Sequence, residues 1–269
     1  MDNRPIGVFD SGLGGLVAAQ ILRRRMPNED IVYFGDTGRM PYGGRPEREL
    51  MTIGRQNIDF LRGFDVKLIL AACGTISTVA LPKLEVPIPV FGVIGPAARI
   101  VSQRTQNGRV GVIATAATIS GAAFQKAILT LNPQLEVTAT ACPKLVPLIE
   151  SGHFEKDDPE VVSALEEHLT DIVSAGADTL LLGCTHYLLM GDAISHFLGD
   201  GVELIDAGEA SAEELIGYIG DNNLSARTGR VGESSYYTSG DAESFREAAN
   251  LIIGLKLGKE LSEIKPMPL

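Results

Sequence analysis

Two short apolar segments with similar endings constrain the fold of this chain more than any other feature. Residues 67–75 read KLILAACGT and residues 178–186 read DTLLLGCTH. Continuous apolar runs of this length are typical of strands buried on both faces of a parallel sheet. Ligands of open α/β sheets bind just beyond the carboxyl ends of such strands. We therefore expect Cys73 and Cys184, one at each strand end, to face each other across one substrate.

The segments around these strands indicate that the chain contains a repeat. Ile6–Asp10 predicts a first buried strand, and residues 109–113 (RVGVI) restart the same pattern after Asn107-Gly108. The offset is 104 positions between the glycines of these strands (111 − 7) and 111 between the two cysteines (184 − 73). Similar offsets predict two related α/β halves, each a mainly parallel sheet flanked by helices.

The glycine-rich turn at residues 12–15 offers a different interpretation, a nucleotide site. Strand, glycine-rich turn and helix is the pattern that cradles phosphates on helix N-terminal NH groups. However, the GxGxxG spacing fails, and Asp10 would repel a pyrophosphate. A plain tight turn is the simpler interpretation.

Composition and charge exclude several classes of protein. The net charge of −11 argues against nucleic-acid binding, which needs basic patches. No apolar run approaches the roughly 18 residues that span a bilayer, and the first residues show no signal-peptide pattern, so we expect a cytoplasmic protein that binds no membrane. Three cysteines do not suggest a disulfide framework. The chain has no CxxC and no HExxH, so no metal site is expected.

Several passages together resemble the glutamate racemases of bacterial cell-wall synthesis. They occur in the order and at the spacing of that family, from residue 6 to about residue 210. These passages are GVFDSG at 7–12, YFGDT at 33–37, PYG at 41–43, CGT at 73–75, ATI at 117–119, ACP at 141–143, VPLIE at 146–150 and LGCTHY at 182–187. Each is weak alone, but the set is specific.

The resemblance implies a fold and an activity. It implies two pseudo-symmetric α/β domains, the first from residues 1–96 plus 207–269 and the second from residues 97–206, with the active site in the cleft between them. It also implies interconversion of L- and D-glutamate without pyridoxal phosphate, another cofactor or a metal. D-glutamate would then supply peptidoglycan synthesis. Because dimers are common in this family, a homodimer is expected.

Racemisation needs an acid and a base on opposite faces of one carbon atom. One group removes the α-proton while the other returns a proton, and their roles exchange with direction. A thiol, with a reference pKa near 8.5, can serve both roles once its neighbours tune it. By resemblance, Cys73 and Cys184 are this pair. The alternative for each is a small buried hydrophobic residue, the usual fate of a free cysteine.

Other residues are assigned by resemblance to support the thiols and bind the substrate. His186 would exchange a proton with Cys184, and Asp10 would hold the substrate ammonium or assist Cys73. Glu150 is a third candidate catalytic residue, with an ordinary surface charge as the alternative. The remaining predicted substrate-binding residues are Ser11, Asp36, Pro41, Tyr42, Gly43, Gly74, Thr75, Thr118 and Thr185. Cys142 has no catalytic counterpart in the family and is interpreted as a packing residue.

The match departs from the family at Gly74, where the family usually has asparagine. That asparagine contacts the bound amino acid, so one amide contact is missing here. Loss of such a contact costs roughly 1–3 kcal/mol when its partner is left unpaired. Two alternatives therefore stay open: a related two-cysteine racemase acting on a different acid, and a binding or regulatory protein that retains the fold without catalysis.

Overall fold

The computed structural model describes residues 1–254, 258 and 260–264, with no side-chain description for residues 251–253. The tail from Lys256 to Leu269, which its composition predicts to be loosely ordered, lies largely outside these residues. Its described part contains a short strand, Leu261–Glu263, so the prediction is wrong for those three residues.

Ten strands alternate with helices along the described chain, as the sequence pattern predicts. The strands are β1 (Ile6–Asp10), β2 (Ile31–Gly35), β3 (Leu68–Ala71), β4 (Val90–Gly92), β5 (Arg109–Ala114), β6 (Glu136–Ala141), β7 (Thr179–Leu182), β8 (Glu203–Asp206), β9 (Ser234–Thr238) and β10 (Leu261–Glu263).

Eleven α-helices flank the strands in the described part of the chain. They are α1 (Gly15–Arg25), α2 (Glu47–Arg62), α3 (Gly74–Val79), α4 (Ile94–Arg104), α5 (Ala116–Gly121), α6 (Ala123–Leu131), α7 (Leu145–Glu150), α8 (Pro159–Ser174), α9 (Gly191–Leu198), α10 (Ala207–Asp221) and α11 (Ala242–Ile253). The short helix predicted from Ile76 to Leu84 instead begins at Gly74 and ends before a 3-10 turn, Leu81–Lys83.

The strands form two parallel sheets with the same internal order. The first sheet runs β10-β9-β2-β1-β3-β4 and the second runs β6-β5-β7-β8. The order β2-β1-β3-β4 matches β6-β5-β7-β8 strand for strand, which confirms the predicted repeat and the α/β fold class. We call the residues of the first sheet and its helices the first half, and those of the second sheet and its helices the second half. The domain boundaries given above remain a prediction.

Each sheet lies between two apolar layers, because successive side chains of a strand point to opposite faces. In β1, Val8 packs with α1 and α10, while Phe9 packs with α2. In the second half, Leu182 packs with α8 and α9, and Leu181 packs with α4 and α6. Burial on both faces accounts for the continuous apolar runs that the sequence shows.

A buried ion pair joins four distant segments of the chain at the amino-terminal edge of the first sheet. Lys67 Nζ lies 2.5 Å from Glu29 Oε2, and both side chains are at most 2% exposed. The same ammonium donates to the carbonyls of Asp2 (3.0 Å) and Leu224 (2.7 Å). The other carboxylate oxygen of Glu29 accepts from the Ala226 N–H at 2.7 Å. The pair therefore holds the start of the chain and the segment before β9 against the sheet.

Removal of the Lys67 ammonium is expected to destabilise the fold strongly. Lys67→Met leaves Glu29 buried without a counter-charge, which costs about 3–5 kcal/mol of the free energy of unfolding. The matched control is Lys83→Met, because its pair with Glu47 is more than half exposed on both sides, and it should lose less than about 1 kcal/mol. Urea denaturation measures both values, and equal losses in the two variants would contradict this interpretation.

Candidate active site

One cavity of about 370 Å³ lies where the carboxyl ends of strands from both sheets meet. Cavities of this size bind small molecules. It is lined by Asp10, Ser11, Met40, Pro41, Tyr42, Gly43, Gly44, Cys73, Gly74, Thr75, Thr115, Ala116, Cys142, Pro143, Val146, Pro147, Glu150, Gly183, Cys184, Thr185 and His186. None of these lining residues is Lys or Arg, so a bound anion would rely on hydroxyls, backbone N–H groups and His186.

Cys73 enters the cavity from the first half, directly after β3 and at the start of α3. Burial, together with the charges of Asp10 and Cys184, raises the pKa of its thiol to about 12. The backbone N–H of Ile76 and the Ser11 hydroxyl act in the opposite direction. Because this pKa is far above neutrality, Cys73 is a thiol in the ligand-free protein and can act there as a proton donor.

Cys184 enters the same cavity from the second half, after β7, and has a histidine partner. Its Sγ lies 3.8 Å from His186 Nδ1. On the other side of the ring, Nε2 lies 3.4 Å from Glu150 Oε1, an ion-pair distance without hydrogen-bond geometry. Burial opposes the imidazolium, but Cys184 and Glu150 outweigh it and hold the pKa of His186 well above its ordinary value. The three side chains therefore lie in series, with the Cys184 thiol and Glu150 on opposite sides of the His186 ring, and all three line the cavity.

Asp10 is buried at the end of β1 with one oxygen occupied and one free. Its Oδ2 accepts hydrogen bonds from the N–H groups of Gly15 (3.0 Å) and Gly12 (3.3 Å) and from the Thr185 hydroxyl (3.5 Å). Its Oδ1 has no hydrogen-bond partner among the described residues. A buried carboxylate oxygen normally has a partner, so Asp10 provides an acceptor for a positively charged group in the cavity.

Threonine hydroxyls connect the two halves beside the cavity. Thr75 Oγ1 lies 3.1 Å from Thr115 Oγ1, which lies 3.0 Å from Thr118 Oγ1. Thr75 and Thr115 line the cavity, whereas Thr118 lies behind them and is almost fully buried. The structure thus places Thr118 as a support for Thr115 and not on the cavity wall.

Asp36 is the other predicted substrate-binding residue that the structure places outside the cavity wall. Its carboxylate pairs with Arg39 at 2.7 Å and accepts hydrogen bonds from Ser239 (2.6 Å) and Tyr42. Tyr42 itself lines the cavity. Asp36 therefore contacts a cavity-lining residue, Tyr42, whose pKa is raised by burial and then by the Asp36 charge.

The structure brings every other predicted site residue to the cavity, together with residues that the sequence reasoning missed. The missed residues are Met40, Gly44, Thr115, Ala116, Cys142, Pro143, Val146, Pro147 and Gly183. Thr115 had a usable signal, because it follows β5 as Ser11 follows β1 in the repeat. Cys142, interpreted as a packing residue, is fully buried in the core and also borders the cavity.

Among the described residues, no group of three or more Asp, Glu, Cys or His side chains is arranged so that it could hold a metal ion.

Comparison with known proteins places the chain in a family. A family model described as Asp/Glu/Hydantoin racemase matches residues 45–215, which is more than half of the chain. The chain belongs to this family.

No helix in the described part of the chain has the length and apolarity to cross a membrane.

Individual relatives in the racemase family are similar over nearly the whole chain. A glutamate racemase from Exiguobacterium sibiricum is 41% identical over 250 residues, covering 92% of each chain. The crystal structure of a glutamate racemase isoform from Bacillus anthracis aligns with a TM-score of 0.92 at 33% identity, covering 98% of each chain. A glutamate racemase from Francisella tularensis, solved with D-glutamate, has a TM-score of 0.90 at 34% identity and covers 98% of each chain. The predicted resemblance and the predicted enzyme class, a racemase, are confirmed.

Neutralising Asp10 should lower the pKa of Cys73. In Asp10→Asn the nearby negative charge is gone, so the thiolate is less disfavoured and its titration moves down from about 12. The pH dependence of Cys73 alkylation by iodoacetamide, followed by peptide mass spectrometry, measures this shift. Asp158→Asn, which removes a carboxylate that caps α8, is the control and should leave the Cys73 profile unchanged. A Cys73 pKa that is unchanged or higher in Asp10→Asn would refute this electrostatic account.

Proposed function

We propose that this protein is a glutamate racemase that interconverts L- and D-glutamate by transferring the α-proton between two thiols. One observation carries the proposal: equivalent strand ends of two related halves each supply one cysteine to a single cavity. Racemisation removes a proton from one face of the α-carbon and returns a proton to the other face. Two thiols on opposite sides of a cleft meet this requirement. Relatives of similar length that carry the name glutamate racemase support the choice of substrate.

In this proposal Cys184 removes or returns a proton with the help of His186. The raised pKa of His186 lets the imidazole take the thiol proton and remain charged beside the thiolate. Glu150, at 3.4 Å from Nε2, stabilises that charge. When the direction of the reaction reverses, Cys184 must donate a proton, and His186 can restore it. His186 and Glu150 are thus assigned to the catalytic machinery through Cys184.

Cys73 is assigned the opposite face, and substrate binding helps it to ionise. The Asp10 charge is among the causes that raise the Cys73 pKa. A substrate ammonium placed against the free Oδ1 of Asp10 would offset that charge. The pKa of Cys73 would then fall when the amino acid is bound. The same thiol can therefore donate a proton in one direction of the reaction and accept a proton in the other.

The two carboxylates of glutamate are assigned to neutral donors. Ser11, Thr75, Thr115 and Thr185 offer hydroxyls in the cavity, and the loop with Pro41, Tyr42 and Gly43 closes one side. Gly74 contributes only backbone here. In the absence of Lys and Arg from the cavity wall, hydrogen bonds from several neutral groups spread the negative charge.

A second candidate function is racemisation of a different small acid by the same two thiols. Gly74 favours it, because the side-chain amide usual at this position is missing and substrate discrimination depends on such polar contacts. The chain offers no comparable argument for a protein without catalysis, since both thiols and their partners line the cavity.

The cellular role is proposed on the basis of this reaction. D-glutamate made by this protein would supply peptidoglycan synthesis in the cytoplasm. We also propose a homodimer, as is common among the proteins that the sequence resembles. The reaction needs no cofactor in this scheme, because the α-proton moves between protein groups alone.

The proposal predicts that purified protein racemises L- and D-glutamate with no added cofactor and that both thiols are needed. Cys73→Ser and Cys184→Ser should each reduce the rate by at least about 100-fold, because general acid–base groups contribute about 10²–10⁴-fold. Chiral chromatography of the amino acid measures the rate. Cys142→Ser is the matched control, and it should lose less than about tenfold, since it is assigned no proton-transfer step.

A panel of L-amino acids in the same assay separates the two candidate functions. Turnover of aspartate or another acid without turnover of glutamate would overturn the glutamate assignment and keep the two-thiol mechanism. Full activity in both serine variants would overturn the mechanism itself.

A further inference from the structure

A ring of buried side chains lies behind the loop that closes one side of the cavity. We call residues 40–44, all of which line the cavity, the Tyr42 loop. Tyr42 is only 2% exposed. Its hydroxyl contacts Asp36, directly after β2, and Asn57, a fully buried residue of α2. Neither Asp36 nor Asn57 lines the cavity, so the tyrosine hydroxyl is held by groups behind the cavity wall.

Arg39 completes the ring by joining Asp36 to Asn57. Its Nε donates to the two carboxylate oxygens of Asp36 at 3.0 and 2.7 Å, and its Nη2 donates to Asn57 Oδ1 at 2.9 Å. A further N–H of the guanidinium donates to Gln56. The Arg39 side chain is 7% exposed and that of Asp36 is fully buried. We call the side chains of Asp36, Arg39, Tyr42 and Asn57 the Asn57 network.

The chemistry of the four side chains fixes the direction of each hydrogen bond in the Asn57 network. A guanidinium can only donate, so the amide oxygen of Asn57 faces Arg39 and its Nδ2 faces the Tyr42 hydroxyl, at 3.1 Å. A carboxylate can only accept, so the Tyr42 hydroxyl gives its proton to Asp36. Because a hydroxyl has one proton, Tyr42 has none left to donate to a substrate carboxylate.

We propose that Asn57 is a positioning residue that fixes the Tyr42 loop against the cavity through the hydroxyl of Tyr42. The inference rests on the proposed function, because this loop closes the side of the cavity that would hold glutamate. A fully satisfied buried network is rigid, whereas loss of one member leaves the others without partners. In the alternative interpretation, Asn57 is an ordinary core residue and the Tyr42 hydroxyl binds the substrate directly.

The first test compares Asn57→Ala with the control Ile58→Val. Asn57→Ala should raise KM for glutamate by about three- to tenfold, the size expected for the net loss of one hydrogen bond. A loosened loop weakens binding of the substrate and of the transition state alike, so kcat should change much less than KM. Ile58 is the next residue of α2 and is fully buried but has no polar group. Ile58→Val should therefore leave KM and kcat close to the parent values.

Tyr42→Phe and the double variant decide whether the two side chains act together. Tyr42→Phe should raise KM by a factor similar to that of Asn57→Ala, because both open the same ring. In the double variant KM should rise no further than in the more affected single variant, since members of one network are not additive. Effects that multiply would show that the Tyr42 hydroxyl serves the substrate separately and would overturn the proposal. An unchanged KM in a folded Asn57→Ala protein would overturn it as well.

Amide hydrogen exchange without substrate separates this inference from the proposed function. The Arg45 N–H, directly after the Tyr42 loop, donates to the Tyr42 carbonyl at 3.0 Å. Loosening of the loop breaks such bonds, so mass spectrometry should record several-fold faster exchange across residues 38–46 in Asn57→Ala and Tyr42→Phe. Ile58→Val should match the parent protein. Tyr42→Phe removes a single oxygen atom, so it also covers the case in which Asn57→Ala fails to fold.

The exchange result and the activity result lead to separate conclusions. If exchange accelerates while the parent protein turns over no glutamate, the positioning role of Asn57 stands and the racemase assignment fails. If exchange is unchanged in the folded variants, the positioning role is refuted whatever the activity.

Discussion

Parallel pairing of the central strand in each sheet is the constraint on which the rest of this structure depends. β1 pairs with β2 and β3, and β5 pairs with β6 and β7, all in parallel. Parallel strands end at the same edge of a sheet, so every loop that follows them lies at that edge. The two sheets turn these edges toward each other. The cavity, its thiols and its carboxylates all depend on this one arrangement.

The chemistry of the cavity depends on charges held where water is scarce. Asp10, His186 and the two thiols are all nearly or fully buried, and interactions between charges strengthen in such surroundings. The carboxylate of Asp10 disfavours a thiolate at Cys73, whereas Cys184 and Glu150 hold the pKa of His186 above its ordinary value. The two halves are therefore alike in backbone but differ in the charged groups beside each thiol. That asymmetry suits a reaction in which one thiol gives a proton as the other takes one.

The sequence predicted the parts of the site that depend on local pattern. Apolar runs before Cys73 and Cys184 indicated buried strands, and the residues directly after such strands lie at a sheet edge. The predicted start of α3 was wrong by two residues. Gly74-Thr75 has the composition of a turn, but in the structure these two residues begin the helix directly after Cys73. Asp36 was assigned to substrate binding by resemblance, but the structure places it off the cavity wall. Its partner Ser239 lies 203 positions away in the sequence, and no local signal links the two residues. The hydrogen bond between Thr75 and Thr115 had no local signal for the same reason, because it depends on how the two separate sheets meet.

The central claim is that each face of the substrate has its own proton carrier. The most direct test follows solvent deuterium while purified protein converts L-glutamate in deuterium oxide. With two carriers, D-glutamate should carry deuterium at the α-carbon from the first turnovers, while the remaining L-glutamate keeps protium. A single carrier that serves both faces would return its proton to either side. Equal deuterium content in both enantiomers at early times would contradict the account.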